Sequence, residues 1–131
     1  MAVTGSINQY GEVQAVGGIN EKVEGFFAIC KARGLTGKQG VLIPAANVKH
    51  LVLKSEVIEA VNNGLFNIYG ISSVDQALEI LMDRKAGKIS KKGTFPRGSV
   101  NYRVLERLRD IADIGKEEEA HEEEQKEAVE K

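Results

Sequence analysis

The amino-acid sequence predicts a mixed α/β fold of the α+β class, with a helix and a charged segment at its C-terminal end. Apolar runs of strand length alternate with segments whose apolar residues recur at helical spacing, which is the order of βαβ units. A basic, glycine-containing stretch interrupts this order, and a further helical pattern and a run of glutamates follow it. With 42% apolar residues among 131, the chain has enough apolar surface for one core over about its first 110 residues.

The first predicted elements are two strands that form a β-hairpin. Residues 2–8 and 12–16 have the composition of strands, and a polar turn from Asn8 to Gly11 separates them. We therefore expect the chain to begin with an antiparallel pair.

A pair of glycines then leads into a predicted helix. Gly17 and Gly18 end the second strand, and Gly18 or Asn20 is expected to cap a helix over residues 19–33 that stops at a glycine. Its buried face is defined by apolar residues at positions i, i+3, i+4 and i+7: Val23, Phe26, Phe27 and Cys30.

Five more elements are predicted before residue 84. An apolar run closed by Pro44 has the pattern of a strand that is buried on both faces. Ser72 or Ser73 is expected to cap the last of the helices. In chain order, the elements are a strand, two short helices, a strand and a helix, over residues 41–43, 47–53, 56–63, 66–71 and 74–83.

The charge pattern divides the chain into four segments. Residues 1–83 form the predicted domain, and residues 84–98, with six basic side chains and no acid, form a basic linker expected to be flexible. Residues 99–115 predict an amphipathic helix whose apolar face needs a partner. Residues 116–131 hold eight glutamates against three lysines, which predicts disorder or a frayed, solvated helical extension.

Composition also excludes several function classes. No apolar run is long enough for a membrane span and no signal peptide opens the chain, so we expect no membrane partner and a cytoplasmic protein. The single cysteine, Cys30, fits a reducing compartment and is expected to be a buried apolar residue. A nucleic-acid partner is not expected, because Phe95 is the only aromatic residue of the basic linker. His50 and His121 lack further ligands at metal-binding spacing, so no metal is expected.

Lys22 is the candidate for chemistry. It lies in the first turn of the predicted helix, where exposed N–H groups carry positive partial charge and disfavour a second positive charge. Its position next to the apolar face predicts a partly desolvated side chain within reach of a cleft. A neutral lysine amine accepts a proton from a hydroxyl, which is the task of the base in a serine–lysine hydrolase. The alternative is an ordinary turn followed by a helix with a solvated lysine.

Several segments resemble a known family in order and spacing. The chain resembles the proteolytic domain of the Lon family of ATP-dependent proteases in residues 2–6, 11–22 and 40–44 and at Asn47. Residues 20–27 and 43–51 resemble its bacterial Lon-related branch more narrowly. The resemblance covers roughly residues 2–83, which would be the C-terminal part of the proteolytic domain.

The resemblance implies a role for particular residues. Lys22 matches the lysine of the family's Ser–Lys dyad at the end of the GG-x-x-x-K motif, which also contains Gly17 and Gly18. Thr4 matches the threonine of the T-G motif, whose hydroxyl lies near the catalytic lysine in the family. The family's nucleophilic serine stands further upstream than the 21 residues before Lys22, and Ser6 lacks its sequence context. We therefore expect this chain to be inactive alone.

The resemblance also implies partners and cofactors for the full-length protein. They are an unfolded protein or peptide substrate, a homo-oligomeric ring expected to be a hexamer, and an ATPase region that binds ATP and magnesium. No cofactor is expected in this chain, because the segment around Lys38 lacks the first glycine and the Ser or Thr of a phosphate-binding loop.

A second function remains open beside the peptidase. The chain would then be a non-catalytic assembly module, in which the helix over residues 99–115 and the charged tail dock subunits. A nucleic-acid-binding linker is the third and least supported interpretation.

Overall fold

The structure is a computed structural model that describes the backbone of residues 1–129 and the side chains of residues 1–115. The chain divides into two compact units, Met1–Asp83 and a second unit that begins at Arg84. The described elements include both helices and strands, so the predicted mixed α+β class is confirmed.

The first unit contains five strands, three α-helices and one 3₁₀-helix. In chain order these are β1 (Ala2–Val3), β2 (Ser6–Ile7), β3 (Val13–Gln14), α1 (Ile19–Ala32), β4 (Gly40–Pro44), a 3₁₀-helix (Ala45–His50), α2 (Ser55–Asn62), β5 (Asn67–Ile71) and α3 (Val74–Met82).

The central sheet has three parallel strands in the order β1–β4–β5. Val3 pairs with Leu42, and Leu42 pairs with Tyr69 on its other side. Each parallel pair is joined through a helical crossover, with α1 between β1 and β4 and α2 between β4 and β5. All five residues of β4 are buried, which confirms the strand predicted before Pro44.

The predicted strand over residues 2–8 is wrong as a single element. It is broken at Thr4 and Gly5, because β1 pairs with β4 in the parallel sheet while β2 pairs with β3 in a separate antiparallel hairpin. The polar turn is where the sequence places it: the Asn8 side-chain oxygen accepts hydrogen bonds from the backbone N–H groups of Tyr10 and Glu12. The hairpin is therefore confirmed, but it is shorter than predicted and distinct from the edge strand.

The core of the first unit lies between α1, α2 and the sheet. Val23, Phe27 and Cys30 of α1 are buried against it, so the predicted apolar face and the buried cysteine are confirmed. Phe66 is fully buried and its ring meets Phe27 edge-on, with 5.2 Å between the ring centroids. Aromatic pairs favour this geometry.

The segment predicted as a helix over residues 47–53 adopts another conformation. A 3₁₀-helix begins earlier, at Ala45, and ends at His50, and the chain beyond it is extended. The backbone N–H groups of Val52 and Lys54 donate to side-chain oxygens of α1 instead of to carbonyls of their own segment. Contacts with α1 thus replace the last helical turn.

The last helix of the first unit begins where the sequence predicts. Ser73 is the N-cap of α3, and its hydroxyl accepts a hydrogen bond from the backbone N–H of Gln76. Of the two serines predicted as caps, Ser73 is the one that fills the position.

The second unit contains the C-terminal helix. No helix or strand lies between Asp83 and Val100, and α4 spans Val100–Val129. The Ser99 hydroxyl accepts from the backbone N–H of Tyr102 and donates to the Pro96 carbonyl, which fixes the start of α4.

The bounds of α4 extend beyond the predicted helix of 99–115 and include most of the predicted tail. The side chains of 116–131 lie outside the described residues, so what was predicted for the tail stays a prediction. Within the part of the chain that the structure describes, no helix is long and apolar enough to cross a membrane.

Candidate functional site

The start of α1 is a turn built on two glycines. Gly18 is the N-cap and adopts a left-handed conformation with φ 65° and ψ 33°, and no side chain caps the helix. In this conformation a residue with a side chain would be sterically strained. The first helical hydrogen bond runs from the Lys22 backbone N–H to the Gly18 carbonyl, at 3.1 Å. The structure therefore brings Gly17, Gly18 and Lys22 together in one turn.

Lys22 is exposed in this chain, so the partial burial predicted for its side chain is wrong. Successive residues of an α-helix point about 100° apart, and the neighbouring Val23 occupies the position that faces the core.

A buried asparagine fixes the chain immediately before the two glycines. The Asn47 side-chain oxygen accepts from the Val16 backbone N–H at 3.0 Å, and its amide nitrogen donates to the Val16 carbonyl at 3.0 Å. Asn47 is only 6% exposed, although it is polar. Both hydrogen-bonding groups of one backbone residue are thus satisfied by one side chain, and the path into the Gly17–Gly18 turn is fixed.

Sequence analysis assigned Asn47 no structural role beyond its part in the family resemblance. A usable signal was present, since an amide next to a buried strand must satisfy a donor and an acceptor. The partner, Val16, is 31 residues away, so local patterns did not identify it.

Two further polar side chains of α1 hold the neighbouring loop. The Asn20 side-chain oxygen accepts from the Val52 backbone N–H at 2.9 Å. Glu24 accepts from the Lys54 backbone N–H at 3.0 Å, and its other oxygen lies 3.3 Å from the Lys54 amine. The face of α1 next to Lys22 is therefore held against residues 51–54.

Thr4 is the other residue with a predicted role in the site, and it lies between β1 and β2. Its backbone N–H donates to the Leu42 carbonyl at 3.0 Å, which continues the β1–β4 ladder by one residue. The residue is half-buried. No hydrogen bond or ion pair joins Thr4 to Lys22, two residues whose side chains are both described.

Thr4 borders a small apolar pocket of about 70 Å³. Its walls come from β1, the hairpin, the end of β5 and α3, and its lining residues are Val3, Thr4, Gly5, Ile7, Val13, Ile71, Val74 and Ala77. None of these eight residues has a titratable side chain, so the pocket suits an apolar group and not an ion. Lys22, Gly17 and Gly18 do not line it.

The other titratable candidates form no second site. Cys30 is buried in the core, and His50 is exposed at the end of the 3₁₀-helix. Among the side chains of residues 1–115, no three His, Cys, Asp or Glu groups come close enough together to hold a metal ion.

Comparison with known proteins gives a family match over the first unit. The family model of the Lon protease (S16) C-terminal proteolytic domain matches residues 1–84. A Lon protease homolog of Escherichia coli K12 is 57% identical over 83 residues, which are 63% of this chain and 14% of that protein. A Lon protease homolog of Haemophilus influenzae Rd is 45% identical over 113 residues, which are 86% of this chain and 19% of that protein.

A more distant relative comes from an archaeon. An archaeal Lon protease of Thermococcus kodakarensis is 35% identical over 82 residues, 63% of this chain and 11% of that protein. The chain thus spans less than a fifth of the length of each of these relatives. Because the family model covers more than half of the chain and all of these relatives are Lon proteins, this chain belongs to the Lon protease (S16) C-terminal proteolytic domain family.

Proposed function

We propose that this chain carries the lysine of a Ser–Lys catalytic dyad and works as part of a serine endopeptidase. The observation that carries the proposal is the turn from Gly17 to Lys22, which begins α1 with a left-handed glycine inside the segment matched by the peptidase family. The nucleophilic serine would come from a part of the parent protein outside residues 1–131, so the isolated chain would be inactive.

In this mechanism, Lys22 moves protons. Its neutral amine takes the proton of the serine hydroxyl as the serine oxygen attacks the peptide carbonyl, and the resulting ammonium gives that proton to the leaving amine. A water molecule then hydrolyses the acyl-enzyme with the same base. Both steps need the amine in its neutral form.

The exposure of Lys22 indicates what the rest of the parent protein would contribute. A serine-bearing segment that packs over the Gly17–Gly18 turn would remove water from the amine and so disfavour its charged form. Thr4, at the end of the β1 ladder, would orient the amine by a hydrogen bond from or to its hydroxyl.

Substrates and energy supply follow from the same proposal. Unfolded proteins would be the substrates, and an ATPase region outside this chain would bind ATP and magnesium and feed the peptidase. The active assembly would be a homo-oligomeric ring, a hexamer in our proposal.

The proposal is tested by replacing Lys22 in the full-length parent. Lys22→Ala and Lys22→Arg should each lower peptide hydrolysis by about a thousandfold or more, since alanine has no base and a guanidinium does not release its proton. Lys49→Ala, which replaces an exposed lysine of the 3₁₀-helix, is the matched control and should keep full activity. Hydrolysis that survives both Lys22 substitutions would refute the dyad assignment.

A further readout separates loss of the base from loss of the fold. A fluorophosphonate probe that labels activated serines should label the parent protein and lose its reaction in Lys22→Ala, while thermal unfolding of the two proteins stays similar. The 131-residue chain alone should give no labelling. Labelling of this chain would contradict the proposal that the nucleophile lies elsewhere.

A further inference from the structure

The strand β4 supports both parts of the proposed site. It is the middle strand of the central sheet, and all five of its residues are buried. Thr4 is joined to it by the backbone hydrogen bond to the Leu42 carbonyl, at 3.0 Å. Asn47 lies in the 3₁₀-helix that follows β4 and holds Val16 with two side-chain hydrogen bonds of 3.0 Å each. One buried strand therefore determines where Thr4 and the chain before the Gly17–Gly18 turn lie.

At Val16, the side chain of Asn47 takes the place of a neighbouring strand. β3 ends at Gln14, so Val16 lies beyond the ladder of the hairpin. In an antiparallel pair, two opposed residues exchange both of their N–H···O bonds. The Asn47 amide makes the same exchange, because its oxygen accepts from the Val16 N–H and its nitrogen donates to the Val16 carbonyl. We call these two hydrogen bonds the Asn47 clamp.

The Asn47 clamp acts at the entrance to α1. Val16 leads directly into the Gly17–Gly18 turn, and the Gly18 carbonyl accepts from the Lys22 backbone N–H at 3.1 Å. The body of α1 is held by buried apolar side chains such as Val23. Burial of apolar surface has no preferred direction, whereas a hydrogen bond restricts both distance and angle. The core thus holds α1 against the sheet, and the clamp fixes where its first turn lies.

We propose that Asn47 is a positioning residue of the peptidase, which sets the place of Lys22 through Val16 and the Gly17–Gly18 turn. The inference rests on the proposed function and adds a residue to it. A base that is misplaced by about 1 Å can cost about a hundredfold in rate, even when the change lies away from the reacting bond. Because the base acts in the chemical step, loss of the clamp lowers kcat and leaves KM unchanged.

A second asparagine of the first unit provides the matched control. Asn67 is also part-buried, and its amide nitrogen donates to the carbonyls of Gly37 and Gln39 at 2.8 Å and 3.0 Å. It pairs with Gly40 at the start of β4, whereas Asn47 follows the end of that strand. Removing either amide leaves backbone groups without a partner, but Asn67 lies at the opposite end of the strands from the turn. A general loss of stability would therefore affect both variants alike.

The test measures kcat and KM for peptide hydrolysis by the full-length parent, at a temperature where circular dichroism shows each variant to be folded. Asn47→Ala should lower kcat by about tenfold to a hundredfold, with KM within about twofold of wild type. Asn67→Ala should keep kcat within about twofold of wild type. A wild-type kcat in Asn47→Ala, a loss seen only in KM, or an equal loss of kcat in Asn67→Ala overturns the inference.

Asn47→Ser separates position from stability and decides the test if Asn47→Ala does not fold. Serine is small and polar, so water can fill the space of the lost amide and bond to the Val16 backbone groups. The direct link from Asn47 to Val16 is nevertheless gone. Asn47→Ser should lower kcat by about tenfold with KM unchanged. A wild-type kcat in this variant overturns the inference.

Lys22→Ala, measured beside these variants, distinguishes failure of this inference from failure of the proposed function. Wild-type hydrolysis in Lys22→Ala refutes the dyad, and with it any role of Asn47 in placing the base. Lost hydrolysis in Lys22→Ala together with wild-type kcat in both Asn47 variants overturns the positioning role alone. Lost hydrolysis in Lys22→Ala together with a lowered kcat in the Asn47 variants, but not in Asn67→Ala, is the expected result.

Discussion

Gly18 determines how the chain turns from the hairpin into α1. Its φ of 65° is in the left-handed region, while a side chain added at Gly17 would meet open space. The two adjacent glycines therefore differ in what they contribute: conformation at Gly18 and, at Gly17, only the absence of a side chain.

Gly18→Ala should destabilise the chain by about 1–2 kcal/mol, the cost of a left-handed non-glycine residue. Gly17→Ala should cost less than about 0.5 kcal/mol, since neither conformation nor space opposes the methyl group. Urea unfolding followed by circular dichroism measures both. Equal losses for the two substitutions would show that the turn does not depend on a left-handed residue at Gly18.

Asn47 holds the residue that precedes this turn. Its two hydrogen bonds to Val16 are part-buried, whereas the single bond that Asn20 accepts from Val52 is exposed. Removing a partner from a buried backbone group costs more than removing one that water can replace.

Asn47→Ala should therefore lower the free energy of unfolding by about 2–3 kcal/mol, and the control Asn20→Ala by less than about 1 kcal/mol. Amide hydrogen exchange adds a local readout, because the Val16 N–H should lose its protection in Asn47→Ala. Unchanged protection of Val16 would contradict the proposed role of the asparagine.

At the scale of elements, local patterns predicted what local interactions decide. The bounds of α1, the buried strand before Pro44 and the Ser73 cap depend on residues that are neighbours in sequence, and all three are confirmed. The division of residues 2–8 into two strands was missed, because β1 takes its partner from β4, nearly forty positions along the chain. Composition does not encode a pairing at that distance.

The candidate site shows the same limit. The family resemblance identified Lys22, Thr4 and the two glycines, and the local pattern correctly placed the turn at the start of α1. The exposure of Lys22 and the bonds of Asn47 depend on how α1 packs against other segments. Which residues cover the lysine is a tertiary property, and the assigned catalytic roles stay predictions.

One ion pair joins two elements of the first unit. The Lys31 amine in α1 lies 2.6 Å from Glu56 Oε2 in α2, and both side chains are about half exposed. The hydrogen bond from Lys31, helped by its charge, lowers the pKa of Glu56 below the ordinary glutamate value. A lowered folded-state pKa contributes stability above the ordinary pKa, and this contribution is lost as the pH falls through the folded-state value.

An NMR titration of the glutamate side chains should show Glu56 with a pKa below the ordinary glutamate value. Lys31→Met should raise the Glu56 pKa toward the ordinary value, whereas Lys49→Met, on the 3₁₀-helix, should leave it lowered. The effect on stability should be small, because exposed ion pairs are screened by water. If the Glu56 pKa does not change when Lys31 is replaced, the ion pair does not persist in solution.

At the scale of the whole molecule, the chain consists of a family domain and an appended helical unit. The core cluster lies entirely within the first unit. Residues 85–87 are bonded to the start of α4, since the carbonyls of Lys85 and Ala86 accept from the N–H groups of Val100 and Asn101. The segment from Lys88 to Thr94 is held only by a local turn, in which the Ser90 N–H donates to the Thr94 carbonyl at 2.8 Å.

Limited trypsin digestion should therefore cut first after Lys88, Lys91 or Lys92, which are exposed and lie in or beside this turn. Proteases need a segment that opens locally, and the bonds of residues 85–87 to α4 protect Arg84 and Lys85. Mass spectrometry should find that the longest-lived fragment begins at residue 1 and ends between residues 88 and 92. Its circular dichroism should retain a cooperative thermal transition, because the fragment keeps the complete core. Early cleavage inside α1, or a fragment that melts without a transition, would show that the first unit depends on the second for its fold.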